Sequence, residues 1–280
     1  MLRKWTLLFT FALSCVSGRV IAQDLNETYR FGLEQFSQKH YEGASIAFER
    51  VLYFGNGQYA VSTLDHLAQI KLLTGDIEGA MNYYNRAAVA SEDYAERSWF
   101  TLRKCACLLS LHRTKYALID LYDFTDNLPD STLRYRNFLL GIAHFTELNF
   151  ADSRIAFKQA IPENDSAKRN ELDSLFAVVQ DIKHPDPKKA RIMSMILPGL
   201  GQFYAGDIKN GINSLLLTGG FVYLGINTII NYGYLNALAS VLPWYQRYFQ
   251  GGFNRAERIA AERLEEKRDA IYQQVLQLYE

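Results

Sequence analysis

Small and apolar residues recur along the first half of the chain with a period close to 36 residues. Pairs of small residues stand twelve positions apart, and the second members of successive pairs are separated by 36, 37 and 36 positions. Such a register at a fixed period is typical of repeat architectures. The four pairs are Gly32 and Ala44, Ala68 and Ala80, Cys105 and Ala117, and Gly141 and Ser153.

A large apolar side chain follows the second member of each pair by four positions, and a further apolar residue follows it by seven. Offsets of four and seven lie on one face of a helix. Each unit is therefore predicted to be an antiparallel helix pair whose small residues allow close approach, and the next pair covers its remaining apolar face. Gly75-Asp76 is the turn expected within the second unit. The large residues are Phe48, Tyr84, Leu121 and Phe157.

The spacing resembles that of the tetratricopeptide repeat. In the first unit Phe31-Gly32 and Phe48 match the family's pattern, and in the second unit the run from Gly75 to Ala80 matches it. The third and fourth units depart from the pattern, since the run from His112 to Lys115 replaces the usual Gly-Asp turn and Ser153 replaces alanine. The resemblance implies a curved array whose groove binds peptides or partner proteins.

The repeat array is predicted over residues 23–182, with residues 167–182 as its closing helix. Its aromatic side chains are open to two interpretations. They line a binding groove, or they fill the core between repeats, which is the favoured interpretation. These residues are Tyr83, Tyr84, Tyr94, Trp99, Tyr116, Tyr122, Tyr135 and Phe138.

A run of 37 residues that begins at Asn210 contains no Asp, Glu, Lys or Arg, although 21% of all residues are charged. Such a stretch indicates contact with membrane lipid. Residues 212–230 and 234–249 are predicted to form two membrane-inserted helices, of which the second is short for about 30 Å of hydrocarbon. Segment 190–253 is thus a membrane hairpin domain, joined to the array by the proline-containing linker 183–189.

Glycines and a proline cluster just before the uncharged run, in a segment that cannot be an ordinary helix interior. The segment resembles a bacterial membrane domain with the signature P-G-x-G-Q-x-Y-x-G, a family without a defined activity. We expect the glycines to allow close backbone packing at a tight turn, and Gln202 and Tyr204 to supply hydrogen bonds that lipid cannot. A ligand site at this turn is the alternative. The matching residues are Pro198, Gly199, Gly201, Gln202, Tyr204, Gly206 and Gly211.

Residues 254–280 are predicted to form a charged amphipathic helix. Side chains of both signs are mixed along it, while apolar residues recur at steps of seven, four and three and form one stripe. We expect the stripe to pack on the hairpin, on the array or on a second copy of the chain, which would give a homo-oligomer. The stripe consists of Leu264, Ile271, Val275 and Leu278.

Residues 1–22 have the pattern of a secretory signal peptide: a basic start, an apolar run and small residues before a cleavage point. An uncleaved anchor or a buried helix is the alternative, and Ala12-Leu-Ser-Cys15 faintly resembles a lipidation signal. Removal of the segment leaves 27 basic against 30 acidic residues, so no basic excess remains to attract nucleic acid. Export places the array on the periplasmic or extracytoplasmic side, whereas the basic flanks of the hairpin favour the cytoplasm.

The sequence contains no pattern typical of a catalytic, metal-binding or cofactor-binding site. The five histidines are scattered and lack the HExxH spacing. Cys105 and Cys107 lie two positions apart on a predicted helix and therefore on different faces, which favours packing over a disulfide. We therefore predict neither an enzyme nor a cofactor.

Together these patterns predict an all-α protein: a tetratricopeptide-like helical-hairpin solenoid, then a hydrophobic helical hairpin, then an amphipathic C-terminal helix. The expected function is a membrane-anchored scaffold that binds a protein partner in the bacterial envelope. The alternative is an accessory factor for membrane-protein biogenesis or secretion that acts through the hairpin.

Overall fold

The computed structural model describes residues 24–124 and 127–279. These residues form fourteen α-helices and no strand, which confirms the predicted all-α class. The helices divide into two compact units, the first ending at Ala160 and the second beginning at Ile161. The predicted signal peptide and Cys15 lie outside the described residues.

The first unit consists of eight helices that pack as four consecutive hairpins. The two helices of each hairpin contact each other, and successive hairpins also contact each other. The apolar face of each pair is therefore covered by the next pair, as the repeat spacing predicts. The helices are α1 (Leu25–Ser37), α2 (Tyr41–Phe54), α3 (Ala60–Leu73), α4 (Ile77–Ala90), α5 (Tyr94–Ser110), α6 (Thr114–Tyr122), α7 (Asp130–Thr146) and α8 (Phe150–Ala160).

The eight residues of the small-residue pairs are all buried in this unit. A Cβ added at Gly32 would lie 2.8 Å from the Phe48 ring, and one at Gly141 would lie 2.6 Å from the Phe157 ring. In the last hairpin the Ser153 hydroxyl also donates a hydrogen bond to the Gly141 carbonyl at 2.8 Å. Glycine on the first helix thus makes room for the phenylalanine ring of the second.

Each hairpin turns through one residue with a left-handed backbone, and these residues are again 36, 37 and 36 positions apart. In every turn the next residue donates its backbone N–H to the carbonyl five positions before it. The sequence predicts a glycine turn in the second hairpin only. The other three turns use residues with side chains, for which this conformation costs about 1–2 kcal/mol. The four residues are Lys39, Gly75, His112 and Leu148.

The second unit contains six helices, of which the short helix Leu200–Tyr204 lies inside the P-G-x-G-Q-x-Y-x-G segment and three others pack against it. The long last helix contacts the other five. The other helices of the unit therefore all pack against this one. The helices are α9 (Ser166–Asp181), α10 (Pro187–Ile196), α11 (Leu200–Tyr204), α12 (Ile208–Tyr232), α13 (Tyr234–Ser240) and α14 (Leu242–Gln277).

The predicted closing helix, residues 167–182, belongs to the second unit and not to the array. This helix, α9, packs against the end of α14, where the Lys168 ammonium donates a hydrogen bond to the Leu278 carbonyl at 2.7 Å. Val275 and Leu278 of the predicted apolar stripe are buried. The compact array accordingly ends earlier than predicted, because α9 packs on the tail.

Among the described helices, α12 is the one long and apolar enough to cross a membrane, and only 6% of its most apolar window is buried. The predicted second span, residues 234–249, is not a single helix. It is split between α13 and α14, and α14 continues through the charged tail. Pro243 lies in the first turn of α14, where its fixed φ favours a helix start. The second arm of the hairpin and the tail are therefore largely one helix.

Candidate functional site

Three of the motif glycines lie where the short helix α11 meets its neighbours. A Cβ added at Gly201 would overlap the Ala190 carbonyl oxygen on α10, and one at Gly199 would overlap the Gly211 carbonyl oxygen on α12. Gly199 also has a φ of 94°, which residues with a side chain rarely adopt. A Cβ at Gly211 would lie 2.5 Å from the Phe203 ring. Direct approach of backbone or ring therefore requires glycine at all three positions.

Pro198 and Gly206 mark the two ends of α11. Pro198 lies in the turn after α10, and Gly206 follows α11 with a φ of 84°. The Gly206 N–H donates to the Phe203 carbonyl at 3.0 Å, and the Asp207 N–H donates to the Gln202 carbonyl at 2.8 Å. This is the common glycine ending of a helix, which satisfies its last carbonyls.

Gln202 is completely buried and joins three helices. Its side-chain carbonyl accepts a hydrogen bond from the Ser194 hydroxyl on α10 at 2.8 Å, and its amide donates to the Gly252 carbonyl on α14 at 2.9 Å. The Ser194 oxygen in turn accepts a hydrogen bond from the Gly201 N–H at 2.9 Å. Because a buried polar group without a partner costs about 1–3 kcal/mol, this network fixes α11 between α10 and α14. We call Ser194, Gln202, Gly201 and Gly252 the turn network.

Tyr204 connects the same turn to the segment that precedes α10. Its hydroxyl oxygen accepts a hydrogen bond from the Asp186 N–H at 3.1 Å and lies 3.0 Å from Nδ1 of His184. The Lys189 ammonium lies 5.4 Å from the centroid of the Tyr204 ring, within cation–π range. The helix α10 begins at Pro187, inside the predicted linker 183–189. Tyr204 therefore ties that segment to the motif.

The structure thus brings the seven motif residues together in one packed turn between α10 and α12. Ser194 and Gly252 complete its hydrogen bonds, and sequence reasoning missed both. The signal for Ser194 is a polar residue within a mostly apolar lead-in, seven positions before Gly201. No sequence pattern indicates the role of Gly252, because the contact is made by its backbone carbonyl. The arrangement holds the first turns of α12 at a fixed position beside α14.

A second candidate site lies in the first unit, on the face formed by α3, α5 and α7. Trp99 packs against Tyr135 with ring centroids 5.6 Å apart. The Arg103 guanidinium lies 5.8 Å from the Trp99 ring centroid and pairs with the Asp65 carboxylate at 2.9 Å. Trp99 remains 42% exposed. We call these four residues the array cluster; Trp, Tyr and Arg are the residue types that contribute most to protein–protein binding.

The aromatic residues of the array divide between core and surface. Tyr84 is completely buried, which agrees with the favoured interpretation of inter-repeat packing. The side chains of half of the eight residues are exposed, although the exposed Trp99 also packs against Tyr135 of the next hairpin. The exposed residues are Tyr94, Trp99, Tyr116 and Tyr122.

The two described cysteines are free and buried. Burial raises the pKa of the Cys105 thiol to about 12 and also raises the pKa of the Cys107 thiol. Both thiols therefore stay protonated at neutral pH, which suits packing residues. Within residues 24–124 and 127–279, no three His, Cys, Asp or Glu side chains are grouped so that they could hold a metal ion.

Comparison of the chain with protein-family models, with curated proteins and with solved structures found no match. The features of the molecule that bear on its function are the two candidate sites and the exposed apolar helix α12.

Proposed function

We propose that this protein is a membrane-anchored scaffold of the bacterial envelope, in which the helical-hairpin array binds a protein partner and the second unit anchors the chain. The observation that carries the proposal is the exposure of α12. A 25-residue apolar helix with 6% of its most apolar window buried leaves its surface in water unless lipid or another protein covers it. Insertion in a bilayer covers that surface.

The length of α12 agrees with this role. Twenty-five helical residues extend about 37 Å at 1.5 Å per residue, which exceeds the roughly 30 Å of bilayer hydrocarbon. The turn network fixes α11 between α10 and α14, and Gly199 before α11 approaches the Gly211 carbonyl on α12 directly, so the anchor is packed against the rest of its unit. The resemblance of this segment to the P-G-x-G-Q-x-Y-x-G membrane domain supports the same assignment.

The array is proposed to lie on the extracytoplasmic side. The support is the signal-peptide pattern of residues 1–22, which begins with basic residues and continues with an apolar run. The basic residues on both flanks of the hairpin oppose this orientation. We give the export pattern more weight, because the tip of the hairpin carries no charge that holds it on either side.

The array cluster is the proposed contact for the partner. The repeat spacing resembles that of tetratricopeptide proteins, whose arrays bind peptides or proteins. The cluster also contains the three residue types that are most common in binding hot spots, as Trp99, Arg103 and Tyr135. No cofactor is needed for such a role.

Replacement of Trp99 by alanine is expected to release the partner. Removal of a hot-spot tryptophan costs about 2 kcal/mol or more, which is roughly a 30-fold loss of affinity. The full-length protein is crosslinked in its native cells and purified in detergent, and the co-purified proteins are quantified for wild type and Trp99→Ala. Tyr53→Ala is the matched control, because Tyr53 is an exposed aromatic residue on α2 outside the cluster. A partner retained equally by both variants would exclude the array cluster as the binding site.

A second candidate function, an accessory role in membrane-protein biogenesis, is favoured by an apolar groove of about 430 Å³ along α12, α13 and α14. An apolar segment of a client protein fits such a groove. In the same crosslinking experiment this alternative predicts insertion or secretion machinery that is retained by Trp99→Ala. It also predicts loss of that machinery when the groove is filled by Gly225→Leu.

A further inference from the structure

A polar cavity of about 410 Å³ lies between the first turns of α12 and the first half of α14. Two arginines, Arg247 and Arg255, line it from α14. Amide and hydroxyl groups line it from α12, among them those of Asn213 and Ser214. None of its lining residues is acidic, so the cavity combines two positive charges with neutral hydrogen-bonding groups.

Neither arginine has a counter-ion in the part of the chain that the structure describes. Arg255 interacts electrostatically with the carboxylate of Asp207. Its carboxyl pKa is lowered first by hydrogen bonds from Asn210 and more weakly by the charge of Arg255. Asp207 is therefore already occupied in capping α12. The Ser214 hydroxyl oxygen is buried and has no hydrogen-bond partner among the described residues. The cavity thus offers unpaired cationic and hydroxyl groups.

The spacing of residues on α14 leaves room for a ligand between the two charges. Arg247, Gly251 and Arg255 follow one another at steps of four, so they lie along one side of the helix. A Cβ added at Gly251 would meet no atom within 4 Å. Glycine at this position therefore keeps the space between the guanidinium groups open.

The position of the cavity along the hairpin indicates its depth relative to the membrane. From Ser214 to the end of α12 at Tyr232 the helix extends about 27 Å at 1.5 Å per residue. This is close to the roughly 30 Å thickness of bilayer hydrocarbon. When α12 spans the membrane, the cavity accordingly lies at the level of the lipid headgroups, where phosphate is abundant.

We propose that this cavity binds a phosphate group, which Arg247 and Arg255 hold through charge-assisted hydrogen bonds and Asn213 and Ser214 orient from the opposite helix. Guanidinium groups suit phosphate because their planar N–H groups match its oxygens. A lipid headgroup and free phosphate present the same chemistry. The proposal rests on the cavity and is independent of partner binding by the array.

Native mass spectrometry of the full-length protein in a non-ionic detergent tests this site. The protein is titrated separately with inorganic phosphate, with dihexanoyl phosphatidylglycerol and with dihexanoylglycerol, which lacks the phosphate. We expect one phosphatidylglycerol to bind per chain and to bind at least tenfold more tightly than dihexanoylglycerol. Binding of inorganic phosphate as well identifies a site for phosphate from either source, and its failure to bind identifies a site for the lipid headgroup.

Arg247→Gln combined with Arg255→Gln is expected to weaken phosphatidylglycerol binding by about 100-fold or more, because two charge-assisted bonds are lost. The matched control is Arg258→Gln with Arg263→Gln, which removes two charges from the same helix outside the cavity. Gly251→Leu fills the space without a change of charge and is expected to weaken binding by at least as much. If the double arginine variant does not fold, Gly251→Leu provides the test of binding in the cavity.

Equal binding of phosphatidylglycerol and dihexanoylglycerol would overturn the proposal. Unchanged binding in Gly251→Leu or in a folded double arginine variant would overturn it too, as would the absence of one-to-one binding. These measurements are made in detergent solution. A negative result would therefore overturn the phosphate site alone, and the anchoring and scaffold functions are tested by separate experiments.

Discussion

Replacement of Gly201 by alanine is expected to lower the free energy of unfolding of the second unit by about 3 kcal/mol or more. The added methyl group would overlap the Ala190 carbonyl oxygen and would lie 2.6 Å from the Ser194 hydroxyl oxygen. The carbonyl belongs to the backbone of α10 and cannot rotate away, so α10 and α11 must separate. Such overpacking typically costs about 1–3 kcal/mol and more when backbone must move, and the Gly201–Ser194 hydrogen bond is lost in addition.

Amide hydrogen exchange in detergent measures this effect, because exchange of residues 190–205 reports the local stability of α10 and α11. Gly220→Ala serves as the control: a Cβ at Gly220 on α12 would meet no atom within 4 Å, so we expect a change below about 1 kcal/mol. Equal protection in the two variants would show that α11 does not pack on α10 as described.

Replacement of Gln202 by leucine is expected to lower the stability of the same unit by about 2 kcal/mol. Leucine has a similar volume but neither accepts from the Ser194 hydroxyl nor donates to the Gly252 carbonyl, and each buried hydrogen bond contributes about 1 kcal/mol. The unfolding midpoint in detergent and the exchange of α11 amides give the magnitude. Gln273, which is exposed on α14, is the control, since Gln273→Leu removes no described hydrogen bond.

A double-mutant cycle sharpens this prediction. Ser194→Ala removes the hydroxyl that joins Gln202 to the Gly201 N–H. Its combination with Gln202→Leu should therefore cost at least about 0.5 kcal/mol less than the sum of the single changes. Strict additivity would mean that the two side chains do not act as one network.

The sequence was sufficient to predict the hairpin repeat, because close helix contacts leave a direct trace in residue size. Gly32 and Gly141 stand where a phenylalanine ring of the second helix needs room, and that requirement recurs at a fixed period. The turns at Lys39, His112 and Leu148 were not predictable in the same way. Their left-handed backbone is tolerated at modest cost, so it imposes no glycine.

The second unit was predicted less completely, because its organisation depends on contacts between distant segments. The motif glycines and Gln202 were expected to form a tight turn, and they do. The roles of Ser194 and Gly252 required knowledge of which helices pack together. The array boundary was misplaced for the same reason: the helix at residues 166–181 has the periodicity of a repeat helix, yet it packs on the end of α14. Apolar periodicity indicates that a face is buried, without identifying what covers it.

Protease treatment of intact spheroplasts shows whether the array lies outside the cytoplasm and whether α12 anchors the chain in the membrane. The protein carries one epitope in the loop between α2 and α3 and another after the last residue, and membranes are washed with alkaline carbonate before blotting. We expect external protease to remove the array epitope, while a fragment containing α12 stays in the washed membranes. An array epitope that survives until the membrane is permeabilised would contradict the proposed orientation. Full extraction of the undigested chain by carbonate would contradict the membrane anchor itself.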